Sequence, residues 1–206
     1  METQSTEKRT IFEAIKSNLK IILSTIFLLI ILISIYSWFA YKKDIKKTEL
    51  SQNFINAKIL LSEGKSSEAL TILKRNIEGS DSTYSTLSLY LIIDQKLEKE
   101  KKEILNYFDK VLSIRSLKNE DLDLVKLKKA IFISSDANEE ELLDLLNPII
   151  NSESAWRAQS IKFLADFYYS KKQYNKASQY YSILIESDSS NIDKKEIENR
   201  IKNFTK

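Results

Sequence analysis

The chain has 206 residues and a formal net charge of +3, with lysines and carboxylates interspersed, so no basic block or basic-aromatic stripe marks a nucleic-acid partner. It contains no histidine and no cysteine, which removes the usual neutral-pH base, the thiol nucleophile, disulfides and the common metal ligands. With 2 glycines and 1 proline, glycine-rich phosphate loops are excluded, tight-turned β and Rossmann-like architectures are disfavoured, and an all-α chain is expected.

A short tail, residues 1–20, precedes the first element. From Ile21 to Tyr41 about 21 residues run without a charge, the length at which a helix crosses the ~30 Å hydrocarbon core of a bilayer. Lys20 closes the run on one side and Lys42 and Lys43 on the other. Tyr36, Trp38 and Tyr41 gather at the far end, where amphipathic rings favour the headgroup layer. A cleaved signal would have a shorter apolar core and small residues at its end, whereas this run ends in Trp38-Phe39-Ala40. A helix from a soluble core would carry a polar face. The polar interruptions here are hydroxyls at Ser24, Thr25, Ser34 and Ser37, which can bond back to helix carbonyls. The expectation is a transmembrane helix over residues 21–41. Basic residues flank it equally, Lys8, Arg9, Lys16 and Lys20 before and Lys42, Lys43, Lys46 and Lys47 after, so charge alone does not orient it.

Residues 42–50 read as a juxtamembrane linker and residues 51–206 as one helical domain. Phe54, Ala57, Leu60 and Leu61 form a helical stripe that Gly64-Lys65-Ser66 ends. Ser66 is placed to cap a second helix carrying Ala69, Leu70, Leu73 and Ile77, which Gly79-Ser80-Asp81 ends before a third begins near Ser82. Tyr84, Leu87, Leu89, Tyr90, Leu91 and Ile93 suggest a buried helix, and Ile104, Leu105, Phe108, Val111 and Leu112 the next. Asp121 is expected to cap LDLVKLKKAIFI. A further helix is expected from Glu139 to about Leu146, with Pro148 bending or ending it. The run Glu139-Glu140-Glu141 suits a helix N-terminus better than a metal site. Ser154 is placed to cap a helix with Trp156 as a packing anchor and Ile161, Leu164, Ala165 and Tyr168 behind it. After Lys171-Lys172-Gln173 a second helix carries Tyr174, Ala177, Tyr181 and Leu184, and a last one begins near Ile192. Tyr168, Tyr174 and Tyr181 are expected in the core.

The interval from Ala57 to Ala69 equals that from Ala165 to Ala177, with one alanine in each helix of a pair. At these residues the chain resembles a tetratricopeptide repeat, a helix–turn–helix unit of about 34 residues with a small residue in each helix. Ile161, Leu164, Ala165, Tyr168, Tyr174, Ala177, Tyr181 and Leu184 fall on its hallmark positions, with Ser189 in place of the terminal proline. Ala57, Leu60, Gly64, Ala69 and Leu73 match in the first copy, where Asn76 replaces a small apolar residue. The expected fold is therefore an N-terminal transmembrane helix followed by a tetratricopeptide repeat-like α-solenoid. That resemblance implies a concave groove whose lining positions correspond to Phe54, Lys58 and Leu61 in the first copy and Lys162, Asp166 and Tyr169 in the last. These six are the candidate partner-binding residues.

The order of parts, with STYSTLSLYLI (Ser82 to Ile92), DLDLVKLKKAIFI (Asp121 to Ile133), SAWRAQ (Ser154 to Gln159) and the terminal DKKEIENRIKNF, is similar to that of the bacterial ancillary SecYEG translocon subunit family. The resemblance implies a single-pass inner-membrane protein with a cytoplasmic N-terminus and a periplasmic helical domain. It also implies protein partners: the SecYEG translocon, a membrane-anchored periplasmic chaperone and exported polypeptides. A structural envelope or cell-division tether on the same fold is the alternative. A membrane-anchored hydrolase lacks its chemical parts, so no enzyme, catalytic residue, cofactor, metal or small-molecule substrate is expected.

Overall fold

The computed structural model describes residues 18–186 and 194–202. Among the described residues there are nine α-helices and no strand. They are α1 (Leu19–Ser62), α2 (Ser66–Glu78), α3 (Tyr84–Asp94), α4 (Lys101–Leu112), α5 (Asn119–Ile133), α6 (Glu139–Ile150), α7 (Arg157–Ser170), α8 (Tyr174–Glu186) and α9 (Lys194–Lys202). The all-α expectation is met. Most of the tail before Lys20, together with Ser189, Ile192, Asn203 and Phe204, lies outside the described residues.

The chain divides into two units, Met1–Ser51 and Gln52–Lys206. In the first, α1 is long and apolar enough to cross a membrane, and the described large apolar side chains from Leu19 to Tyr41 have no protein cover, ranging from 42% exposed at Ile31 to 77% at Tyr36. The hydroxyls behave as their positions suggest. Ser24 and Thr25 donate to the Ile21 carbonyl at 2.8 and 2.9 Å, and Ser34 donates to Ile30 at 2.8 Å, so these three hydroxyls are satisfied within the helix. Lys42 places its ammonium 5.2 Å from the centre of the Trp38 ring at the end of the run. Residues 42–50, read as a linker, continue α1 as helix. No glycine or proline interrupts that stretch, and Lys, Glu and Leu are good helix formers.

In the second unit consecutive helices pack along the chain from α2 to α9, α7 against α8 most extensively, and α2 also meets α4. Two apolar cores form. The first gathers Ala57, Leu73, Ile77, Leu89, Ile92, Phe108, Val111 and Val125. The second gathers Leu127, Ala130, Leu142, Leu146, Ile149, Ile161, Leu164, Tyr168, Tyr181 and Leu184. The paired alanines Ala57, Ala69, Ala165 and Ala177 are all fully buried, as small residues at close helix approaches should be.

Several local expectations are corrected. Lys65 and Thr83 precede α2 and α3 without a side-chain cap bond, and Asp81 satisfies the start of α3 by accepting from the Thr83 and Tyr84 amides at 2.9 and 2.8 Å. Asp121 lies in the first turn of α5, whose N-cap position is Lys118; there its charge still favours the positive end of the helix dipole. Helix α6 runs to Ile150, past Pro148, and Asn138 with Glu141 forms a reciprocal capping box at its start. Ser154 accepts from the Trp156 amide at 3.3 Å ahead of α7, which begins at Arg157, and Trp156 packs half-buried on the second core. Leu87 is 39% exposed, because α3 turns Ser85, Thr86 and Ser88 inward beside Leu89 and Ile92. Tyr174 is 40% exposed at the first position of α8, where it tilts against Tyr169 with ring centres 5.8 Å apart. Gly64 takes the left-handed φ of +77° after α1. After α2 that role passes from Gly79, at φ −62°, to Ser80 at 54°.

Candidate functional site

On α7 the inward stripe Ile161, Leu164, Ala165 and Tyr168 fixes the rotation of the helix about its axis. That rotation aligns Lys162, Asp166 and Tyr169, at i, i+4 and i+7, on a neighbouring stripe that water reaches. The Lys162 ammonium donates to Asp166 Oδ2 at 2.7 Å. The other carboxylate oxygen, Oδ1, accepts from the Tyr181 hydroxyl of α8 and, at 3.2 Å, from Arg200 of α9. Arg200 also donates to the Tyr181 oxygen at 3.2 Å and to Glu196 at 2.8 Å, and its guanidinium lies 5.8 Å from the centre of the Tyr169 ring. Burial, and then Asp166, push the Tyr181 phenol up to about 12, so it remains a donor at neutral pH. Asp166 is thus the hub of a network joining three helices. It also borders a shallow pocket shared with Phe163, Phe167 and Ser135, which opens the α7 stripe toward the end of α5.

The first-copy residues are set differently. Phe54 and Leu61 are half-buried on the first core, and Phe54 tilts against Tyr84 with centres 6.3 Å apart, while Lys58 is exposed. Phe54 and Leu61 pack on the first core, whereas Lys162, Asp166 and Tyr169 stand on a helix of the second.

Other residues, which the repeat pattern did not mark, line a cavity of their own. Tyr90, Ile93 and Asp94 of α3 and Lys128, Ile131 and Phe132 of α5 border a cavity of about 190 Å³. The Lys128 ammonium stands 4.7 Å from the Tyr90 ring centre, and the Tyr90 hydroxyl is buried with no hydrogen-bond partner. Burial, with Asp121 second, raises the Tyr90 pKa above the ordinary phenol range, which keeps the hydroxyl protonated. Neither α3 nor α5 carries repeat hallmarks, so no template pointed to them. Arg200 was also missed, although a signal existed: it follows Asp166 at the repeat's own interval of 34 positions.

Among the described residues no group of three or more acidic, histidine or cysteine side chains could hold a metal ion. Glu139 is engaged by Lys176 at 2.7 Å, which holds its carboxyl below the usual range. Comparison of the chain with protein-family models and with curated proteins gave no match. Fold and site define a class: an all-α chain of packed helix pairs with one long apolar helix and a polar, aromatic face along α7.

Proposed function

We propose that this chain is a membrane-anchored protein-binding scaffold, held by residues 21–41 and presenting its helix pairs to protein partners. The observation that carries this reading is the uncovered apolar stretch of α1 in the same chain as a helical-repeat unit whose α7 stripe offers a carboxylate, an ammonium and an aromatic ring to water. Such a mix gives contact area and fixes orientation, as protein interfaces require. In the resemblance to the ancillary SecYEG subunits, the same parts become a single-pass inner-membrane protein with a cytoplasmic N-terminus and a periplasmic domain. Its partners there are the channel, a membrane-anchored periplasmic chaperone and the exported chains handed between them. The role is binding and not catalysis.

Site-specific crosslinking from position 58 or 162 in native membranes tests this. Adducts with channel subunits, the chaperone or nascent chains are the expected result. Adducts confined to peptidoglycan-associated or division proteins would replace the translocon role with that of a tether. Reporter fusions before Met1 and after Lys206 test the topology, and a cytoplasmic C-terminus would overturn the periplasmic assignment.

A further inference from the structure

Asp166 and Tyr169 of the α7 face, with Tyr181 of α8 beside them, are already in use by α9, the last of the described helices. Asp166 and the Tyr181 hydroxyl hold the Arg200 guanidinium, which lies against the Tyr169 ring, and Ile197, 2% exposed, seats in the second core. We propose that α9 is a displaceable internal stand-in for a partner's helix, and that the partner binds by placing an apolar side chain and, one turn later, an arginine in the seats of Ile197 and Arg200. This rests on the reading of the α7 face as a partner surface.

The balance of contacts favours displacement. Within its described residues, Lys194–Lys202, α9 draws its helicity from what it touches, as helices in proteins mostly do. Among its described residues α9 buries Ile197 fully and packs Ile201 partly on the second core, whereas α7 buries Ser160, Ile161, Leu164, Ala165, Phe167 and Tyr168. Its ion pairs are open to water, with the Asp166 and Arg200 side chains 37% and 36% exposed, and exposed pairs hold weakly. A part-buried bond from the Lys194 ammonium to the Ile185 carbonyl at 3.0 Å is a further tie. Segments with few buried contacts open first. The seat left behind would expose the apolar niche of Ile197 beside Asp166 Oδ1 and the Tyr181 hydroxyl that donates to it, both without their bond to the guanidinium. A planar cation that can fork across carboxylate and phenol while stacking on Tyr169 suits it better than an ammonium. The required partner chemistry is therefore a short amphipathic helix with an isoleucine- or leucine-sized residue followed three positions on by arginine.

The test uses the full-length protein in detergent micelles and a fluorescent synthetic peptide spanning residues 194–202 as the probe. Arg200→Ala, which weakens the internal tie, is expected to bind the peptide at least about ten-fold more tightly than the wild type, and the peptide carrying Arg200→Ala is expected to lose that gain. Arg200→Lys should fall between. Hydrogen exchange on the wild type supplies a measurement that needs no variant: amides of α9 are expected to exchange about a hundred-fold faster than those of α7 and α8. Equal protection across the three helices, or equal peptide affinity for wild type and Arg200→Ala, overturns displacement. Either result leaves the crosslinking outcome untouched, and a failure of crosslinking with a displaceable α9 would sink the translocon role alone.

Discussion

Each half of the helical unit buries an unpaired small hydroxyl, Ser88 in the first and Ser160 on α7 in the second, but the two differ in how they treat their phenols. The first turns small hydroxyl residues inward: Ser85 donates to the Asn76 carbonyl at 2.7 Å, but Ser88 is fully buried with its hydroxyl unpaired, and so is the Tyr90 hydroxyl. The second uses large aromatic rings and satisfies their polar ends from outside, as Tyr181 does with Asp166 and Arg200. Stacked Tyr168 and Tyr180, 5.5 Å apart, extend the same pattern. Small polar residues let helices approach closely but leave desolvated groups behind. Aromatic residues fill more volume and carry their hydroxyls to the rim, where charged partners wait.

The largest effect should come from emptying the first core. Phe108→Ala removes a fully buried ring that meets Phe132 at 5.8 Å, and should cost about 3–5 kcal/mol in urea denaturation of the full chain. A loss below about 1 kcal/mol would mean that this core is loosely filled. Smaller, and opposite in sign between the cores, are the hydroxyl deletions. Tyr181→Phe strips a satisfied group and should destabilise by about 1 kcal/mol, while Ser88→Ala removes an unsatisfied one and should be neutral or stabilising by up to about 1 kcal/mol. Equal costs at both sites would erase the contrast.

The smallest effect concerns one ion pair in each half. Lys74 binds Glu98 and Lys176 binds Glu139, both at 2.7 Å, and each lysine holds its carboxyl below the ordinary range. A depressed folded-state pKa gives stability that is present above the unfolded value, about 4.3, and is lost as pH falls through the folded one. Glu98 is 11% exposed and Glu139 39%, so screening leaves the first pair stronger. At pH 7, Glu98→Gln should lower the melting temperature more than Glu139→Gln, and both should converge on the wild type as the pH drops well below 4.3. Persistence of the gap in acid would assign it to packing instead.

Helix existence was legible because stripes such as Ile161, Leu164, Ala165 and Tyr168 repeat at helical spacing. Local starts were less so. Acidic and hydroxyl residues favour both the cap and the first turn, and nothing in the sequence tells Asp121 from a cap. Hydropathy also misjudged α3, since Ser85 and Ser88 are buried by the nearness of a neighbouring helix and not by their own aversion to water. Of the site, the α7 stripe could be read from the repeat pattern. Tyr90 with Lys128 could not, because that pair is made by tertiary packing between helices far apart in the chain, whereas Arg200 with Asp166 left only the 34-residue interval as its trace.

Helix α5 serves both halves. It gives Val125 to the first core, Leu127 and Ala130 to the second, and Phe132 packs back on the first. A helix with obligations on two sides leaves no clean place to cut. A gene truncated before α5 would strip the first half of one wall, and a gene truncated after it would strip the second. The two cores are therefore not two modules, and the smallest transplantable piece of this protein runs through both.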